Sequence, residues 1–392
     1  MQKVNATQIQ CQALLPVVPD TLMTKTQQKI WRRSHSYNSV KNFKSAVRSF
    51  NIFMQENDVA WEKCLEDPIT SMDDFVGWLD SNGKSPRSTR LYIVLLKKLF
   101  REAGSDFSSD QFKARVVLPK IRMFGDDKVN KEQIRKIILT LKHQGLKTML
   151  MLEKDTQARP MEILTLKVKN VNLAHDPPHF NIEAEYAKND MPRELFFTNE
   201  TKDFVVQKIE NEGLKPNDFL FLKDVDEIDE VKFQKYAMGV ESQYSRTLRL
   251  TLKNKLSELN DEVSGRGTVR YKIHLYSFKK FAFTIMADTL GEMATRAIKG
   301  DSEYLMTYYR KSREERVEDF RKVIPKLLVF SEPEDTRKSV EDEIKNLSKD
   351  DLADVLKFLR NGKTQFSESE KSLTKRLPVE NHTGSFNKIS KQ

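Results

Sequence analysis

The sequence predicts a mainly α chain with a small β component, arranged as two folded units and a charged tail. Three observations carry this. The chain has 392 residues, 38% hydrophobic and 32% charged, enough apolar content for two cores at about 150 residues per domain. Apolar residues recur at helical spacing through most of residues 36–116 and again beyond 130, whereas strand-like alternation is confined to one short stretch. From residue 331 the composition turns polar, with 12 Lys/Arg against 12 Asp/Glu, so the net charge of +10 lies entirely in residues 1–330.

In order along the chain, residues 1–27 read as a flexible arm. Helices are expected at about 36–55, 70–82, 86–103 and 109–116, forming a unit over 28–122. A linker with Pro119 and Gly125 follows, and a second unit occupies 123–330. In the tail, 331–392, Ser348 and Asn361-Gly362 bracket a short helix with Leu352, Val355, Leu356 and Leu359 on one face. Beyond Gly362 the tail reads as disordered, and no internal repeat is visible.

The charge argues for a polyanionic partner, and charge alone does not separate DNA from RNA or an anionic membrane. No run of about 18 apolar residues is present, so no membrane span is expected, and the N-terminus does not read as a secretory signal. Cys11 and Cys64 are the two cysteines, neither in a CxxC. Reduced thiols, a cytoplasmic setting and no metal centre are therefore expected. Without a Walker loop or a GxGxxG, no cofactor is expected.

The segment SPRSTRLYIVLLKKLFREAG (85–104) begins with a capping Ser85 and with Pro86 in the first turn. At about 100° per residue, Arg87, Arg90, Lys97, Lys98 and Arg101 form one stripe opposite Ile93, Leu95, Leu96, Leu99 and Phe100. Residues 38–54 repeat the design, with Lys41, Lys44 and Arg48 on one face and Phe43, Val47, Phe50, Phe53 and Met54 on another. Charged stripes are commonly just solvated faces. These carry a single sign and repel themselves unless a partner neutralises them, which favours contact with a phosphate backbone.

In TQARPMEILTLK (156–167), Arg159 starts a helix with Pro160 in its first turn, and Glu162 lies three residues on, on the same face. This is either a structural ion pair or a guanidinium oriented for a phosphate. In HFNIEAEYAKNDMPRELFFTNE (179–200), Phe180, Ile182 and Ala184 alternate, Leu195 and Phe197 return, and AKNDMPR reads as a hairpin turn with Lys188 at its start. A turn lysine is most often only solvated. A helix from about 276 carries Lys279 and Lys280, a second ends near Gly300, and SEYLMTYYRKS (302–312) places Tyr308 and Tyr309 ahead of Arg310. By themselves these tyrosines fit packing, phosphorylation, base stacking or nucleophilic attack. Tyr304 lies one helical turn before Tyr308 and reads as packing.

Taken in order, these segments resemble the tyrosine recombinase (integrase) family, and in particular its archaeal branch. TQARPMEILTLK resembles the family's T-G-x-R-x-x-E-L box and AKNDMPRELFFT its hairpin lysine. YSFKKFAFT stands at the H-x-x-R box, which reads like H-S-F-R-R-F in archaeal members. KGDSEYLMTYYRKS resembles the G-H-S segment leading to the tyrosine. The resemblance covers about 28–330 and implies a helical N-terminal core-binding domain plus a mixed α/β catalytic domain. It implies Arg159 as the clamp on a scissile phosphate, Glu162 as its support, and Lys188 as general acid. Tyr309 would be the nucleophile, with Tyr308 as runner-up. It also implies a double-stranded DNA partner, a tetrameric synapse, metal-independent strand transfer through a 3′-phosphotyrosyl link, and a role in integrating or excising a mobile element. Three positions depart from the pattern. Tyr276 replaces the first histidine of H-x-x-R, Lys279 the second arginine, and Asp301 the G-H histidine; His274 lies two residues before Tyr276. Lysine keeps the charge but loses the planar fork, and ionised aspartate donates nothing to a phosphate. These departures also imply an alternative, a catalytically impaired DNA-binding regulator.

Overall fold

The computed structural model of the chain describes residues 17–121, 129–187, 190–223, 225, 229–260, 262–265, 268–300 and 311–330. Its described part is mainly helical with a small β component, as the periodicity predicts. Six helices come first: α1 (Asp20–Ser34), α2 (Tyr37–Glu56), α3 (Trp61–Glu66), α4 (Pro68–Ser81), α5 (Pro86–Glu102) and α6 (Ser109–Arg115). Ser36 and Ser85 cap α2 and α5 by accepting from Ser39 N–H and Ser88 N–H, and Ser108 and Gln111 form a reciprocal capping box on α6. Their apolar stripes close one core around Phe43, Phe50, Phe75, Leu96 and Phe100. Phe50 meets Phe75 edge-on at 5.1 Å, and Trp61 stacks on Phe100 at 5.2 Å.

Residues 20–27, expected to belong to a loose arm, are instead the first turns of α1. Only Thr26 and Ile30 of that helix are buried, so its sequence shows little periodicity. Tertiary contacts hold it: Lys25 and Lys29 both reach Glu102 of α5, at 2.8 and 2.5 Å. The short α3 was likewise not anticipated. Most of the expected linker, 122–128, lies outside the described residues, as does the tail with its expected helix.

The second set comprises α7 (Lys131–Thr140), α8 (Gln144–Thr156), α9 (Pro160–Leu164), β1 (Val171–Asn172), β2 (His179–Ile182), β3 (Arg193–Phe196), α10 (Asn199–Glu212), α11 (Glu230–Lys255), β4 (Glu262–Gly265), β5 (Thr268–Tyr271), α12 (Leu275–Leu290), α13 (Glu292–Lys299) and α14 (Arg313–Leu327). The strands β1-β2-β3 form one antiparallel sheet, with Phe180 opposite Leu195 as the alternation implies. The antiparallel pairing of β4 with β5 is a second hairpin where the sequence predicts only one; each strand is only four residues long, too short for its alternation to stand out. A separate core gathers Leu146, Leu150, Phe180, Phe197, Phe278 and Val323.

The helix α8 is buried on every side from Thr148 to Thr156, although it contains Glu153, Lys154 and Asp155. Lys154 is fully buried and donates to Asp155 Oδ1 at 2.6 Å and to the Leu327 carbonyl at 3.1 Å, with Glu200 at 3.4 Å. Asp155 Oδ2 accepts from the Thr198 amide and from both threonine hydroxyls, Thr198 and Thr201. Glu200 accepts from Val329 N–H and Phe330 N–H. This satisfied network ties α8, the start of α10 and the end of α14 together, and so fixes the helix that leads into Arg159.

Candidate active site

At the end of α8, Gln157 adopts a left-handed conformation (φ 57°), and the chain turns through Ala158 into Arg159, the N-cap of α9. Pro160 sits at the first helical position, where its missing N–H costs nothing. Glu162 folds back on the turn. Its Oε2 accepts from the Arg159 amide at 2.7 Å and its Oε1 from Arg159 Nη1 at 3.0 Å. Arg193, at the start of β3, donates from Nη2 to the same Oε2 at 2.6 Å. Burial pushes the Glu162 carboxyl up, but the charge and hydrogen bond of Arg193, with the bonds and charge from Arg159, outweigh it and hold the group below its ordinary range. Glu162 thus aligns two guanidiniums.

The start of α12 meets this corner. His274, its N-cap, is extended (φ −149°, ψ 177°) and donates its amide to Ser277 Oγ at 3.1 Å, with Nδ1 2.7 Å from the same oxygen. Lys279 lies just over one turn on, 5% exposed, and its Nζ has no hydrogen-bond partner among the described residues. Burial, then the charge of Arg159, push its ammonium down to about 7. Tyr276 is 44% exposed. Burial and Glu241 push its hydroxyl up while Arg159 pulls it down, so Tyr276 belongs to the same electrostatic neighbourhood.

Gly300 closes α13 with φ 71°, and a Cβ there would stand 3.1 Å from Arg193 Nη1. The residue before Asp301 therefore packs against Arg193, a closeness only glycine permits without a shift. Asp301, Tyr304, Tyr308, Tyr309 and Lys188 lie outside the described residues.

In the helical lobe, Lys41, Lys44 and Arg48 stand on the exposed face of α2. The stripe on α5 is divided. Arg87 and Lys98 are exposed, but Arg90 Nε donates to the Pro119 carbonyl at 2.9 Å. Lys97 Nζ lies 3.8 Å from the centre of the Phe112 ring, and Arg101 lies 5.4 Å from that of Phe107. Arg90 and Lys97 hold the chain after α6 and α6 itself, so the stripe mixes cations partnered within the protein with freely exposed ones. Lys41 also lines a groove of about 560 Å³ with Tyr37, Lys235, Glu241, His274 and Tyr276, which brings the lobe's basic face to the start of α12.

Arg193 and Glu153 are site residues that the sequence reading missed. Arg193 sits in a turn segment where an arginine is ordinarily exposed. Glu153 lies in a run of charged residues that looks like a solvated helix face.

Residues 27–105 match the family described as phage integrase, N-terminal SAM-like domain. No curated protein matches the sequence. Among solved structures, a lambda integrase dimer bound to a COC′ core site is similar at 13% identity, over 76% of this chain and 79% of that one, with a TM-score of 0.50. The Tn1549 transposon integrase in complex with transposon right end DNA is 13% identical over 76% and 98% of the two chains, with a TM-score of 0.48. XerA recombinase is 15% identical over 77% and 98%, with a TM-score of 0.33. The chain thus has the fold of tyrosine recombinases, a helical N-terminal domain ahead of a mixed α/β domain of their catalytic type. No described helix is long and apolar enough to cross a membrane.

Proposed function

We propose that this protein is a site-specific DNA recombinase of the tyrosine type, similar to the archaeal integrases, that cuts and rejoins duplex DNA. The observation that carries the reading is the corner at the start of α9. A buried carboxylate aligns Arg159 and Arg193, with Lys279 beside them. Paired guanidiniums in a largely dry setting suit a phosphodiester in its transition state, where fixed cations act without reorganising. Arg159 clamps the scissile phosphate, Glu162 orients it, and Lys279 supplies the second cation. Tyr309, or Tyr308 beside it, attacks phosphorus and displaces the 5′-oxygen, to which Lys188 gives its proton. The 3′-phosphotyrosyl link conserves the bond for rejoining. Tyr276 and His274 stand in for the usual histidine, and Asp301 donates only when protonated.

The exposed cations of α2 and α5 follow the DNA backbone, and the two domains together grip the duplex. The protein works as a homo-oligomer, a tetramer across two sites, with the charged but net-neutral tail docking one protomer on the next. Its biology is the integration or excision of a mobile element in the cytoplasm, at the nucleoid, and the strand transfer needs no metal. The proposed domains are an arm over 1–27, of which residues 20–27 belong to α1, core binding over 28–122, catalysis over 123–330 and a tail over 331–392.

One observation favours a second reading, a silent DNA-binding regulator: Lys279 is buried and readily neutral, a weaker clamp than arginine. Covalent trapping separates the two. The protein is incubated with nicked duplex carrying its attachment site, without added metal, and denatured. An adduct lost in Tyr309→Phe (or in Tyr308→Phe) and weakened in Arg159→Ala supports the recombinase. Tight, salt-sensitive binding without any adduct overturns it in favour of the regulator.

A further inference from the structure

The helices α8 and α12 pack side by side in the second core. Glu153 lies on α8 and Gln157 just past its end, and both are fully buried. Gln157 Nε2 donates to Met286 Sδ on α12 at 2.6 Å, but among the described residues its Oε1 has no hydrogen-bond partner, and neither carboxylate oxygen of Glu153 has one. Lys279 Nζ, on α12, is buried and equally unpartnered. Leaving a buried polar group unsatisfied costs about 1–3 kcal/mol, more when it is charged, and native structures retain few such groups. Here an acid, an amide and a lysine are left so at one helix–helix contact, next to the Arg159 corner.

We infer that Glu153 is a positioning residue for Lys279: it is the counter-charge that keeps this amino group in the buried corner and sets how readily it takes the proton that makes it a phosphate ligand. The inference rests on reading the corner as a phosphate site. The charges that act on Lys279 are Arg159 and Glu162 at α9, Lys299 of α13 and Glu153 of α8; Tyr276 lies three residues before it on α12. Glu241 of α11 acts on Glu153, while α14 presents Lys326, bonded to Thr289 near the far end of α12. Burial, Arg159 and Lys299 drive the lysine towards its neutral form; Glu162 and Glu153 oppose them. Burial drives Glu153 towards its own neutral form, and Lys279 opposes that. Each group therefore favours the charged form of the other. Without DNA the corner tolerates a neutral amine. An arriving phosphate stabilises the ammonium, and the fraction of Lys279 that is still neutral takes up a proton from solvent. An arginine could not be discharged in this way, so Lys279 and Glu153 belong together as a pair.

The test follows Lys279 directly in the full-length protein. Lysine is isotope-labelled, the Lys279 side-chain resonance is assigned by its loss in Lys279→Arg, and its titration is followed from neutral to alkaline pH without DNA. The wild-type midpoint is expected at about 7. In Glu153→Gln it moves down, and in Glu153→Asp it moves the same way by less, which a merely structural role would not produce. If Glu153→Gln does not fold, Glu153→Asp alone decides. A midpoint unchanged by both substitutions, or one in the ordinary lysine range, overturns the inference. Adding a short nicked duplex should raise the midpoint. No rise, with the Glu153 shift intact, overturns the phosphate role of the corner while the coupling stands. That outcome is distinct from a missing covalent adduct, which tests the nucleophile.

Discussion

Arg193 Nη2 donates to Glu162 Oε2 at 2.6 Å, joining the start of β3 to the first turn of α9. The two residues are 31 apart in sequence, and both side chains are nearly fully buried. One carboxylate therefore sets the orientation of Arg193 and of Arg159 together. Removing Arg193 leaves a buried charge with half its support. Arg193→Met should destabilise the fold by about 3–5 kcal/mol, read by urea unfolding, with Arg193→Lys losing less. A loss under about 1 kcal/mol would show that the bridge does not hold the corner.

Glu162 also predicts the acid limb of stability. Its folded carboxyl lies below its ordinary range, so its contribution is present above the unfolded value of about 4.3 and is lost as pH falls through the folded one. Wild type should lose stability more steeply than Glu162→Gln below about pH 4.3. Parallel unfolding curves for the two proteins over that range would count against this.

Lys279 has the opposite linkage. Its folded value, about 7, is depressed, so between that pH and the unfolded value of about 10.4 the unfolded chain binds more protons and stability rises with pH. The penalty is complete below about pH 7. Lys279→Met should therefore be more stable than wild type at neutral pH, by about 1–4 kcal/mol, and should form no covalent adduct. Calorimetry at neutral and alkaline pH checks the sign, because the gain should vanish near pH 10.4.

The two faces of the helical lobe should separate by salt dependence. Lys44→Ala and Arg48→Ala remove exposed cations and should each lower the slope of log affinity for DNA against log salt by about 1. Lys97→Ala removes the cation over Phe112. It should cost about 0.5–1 kcal/mol of stability and leave that slope nearly unchanged. Fluorescence anisotropy at several salt concentrations and thermal unfolding give the two readouts.

The buried network on α8 supplies a test of position. Asp155 takes hydrogen bonds from Thr198 and Thr201 and pairs with Lys154. Asp155→Ala should cost about 3–5 kcal/mol and weaken adduct formation although it touches no phosphate. A stable variant with full adduct would mean that α8 is held by its apolar contacts alone.

Much of this protein was set by its sequence. The apolar stripes of α2 and α5 mark their shared core, since burial demands a period of 3.6 residues. Ser36, Ser85 and Pro160 mark helix starts because each meets the free backbone groups there. The i to i+3 spacing put Arg159 and Glu162 on one face. The tertiary structure decided what depends on distant partners. It made α1 a helix through Glu102, turned Arg193 inward onto Glu162, and placed Lys97 on Phe112 instead of in solvent. Above all it buried Glu153, Lys154 and Lys279. Local sequence shows that these residues carry charge, but whether a charge meets water, an opposite charge or a dry pocket depends on which helices pack against it.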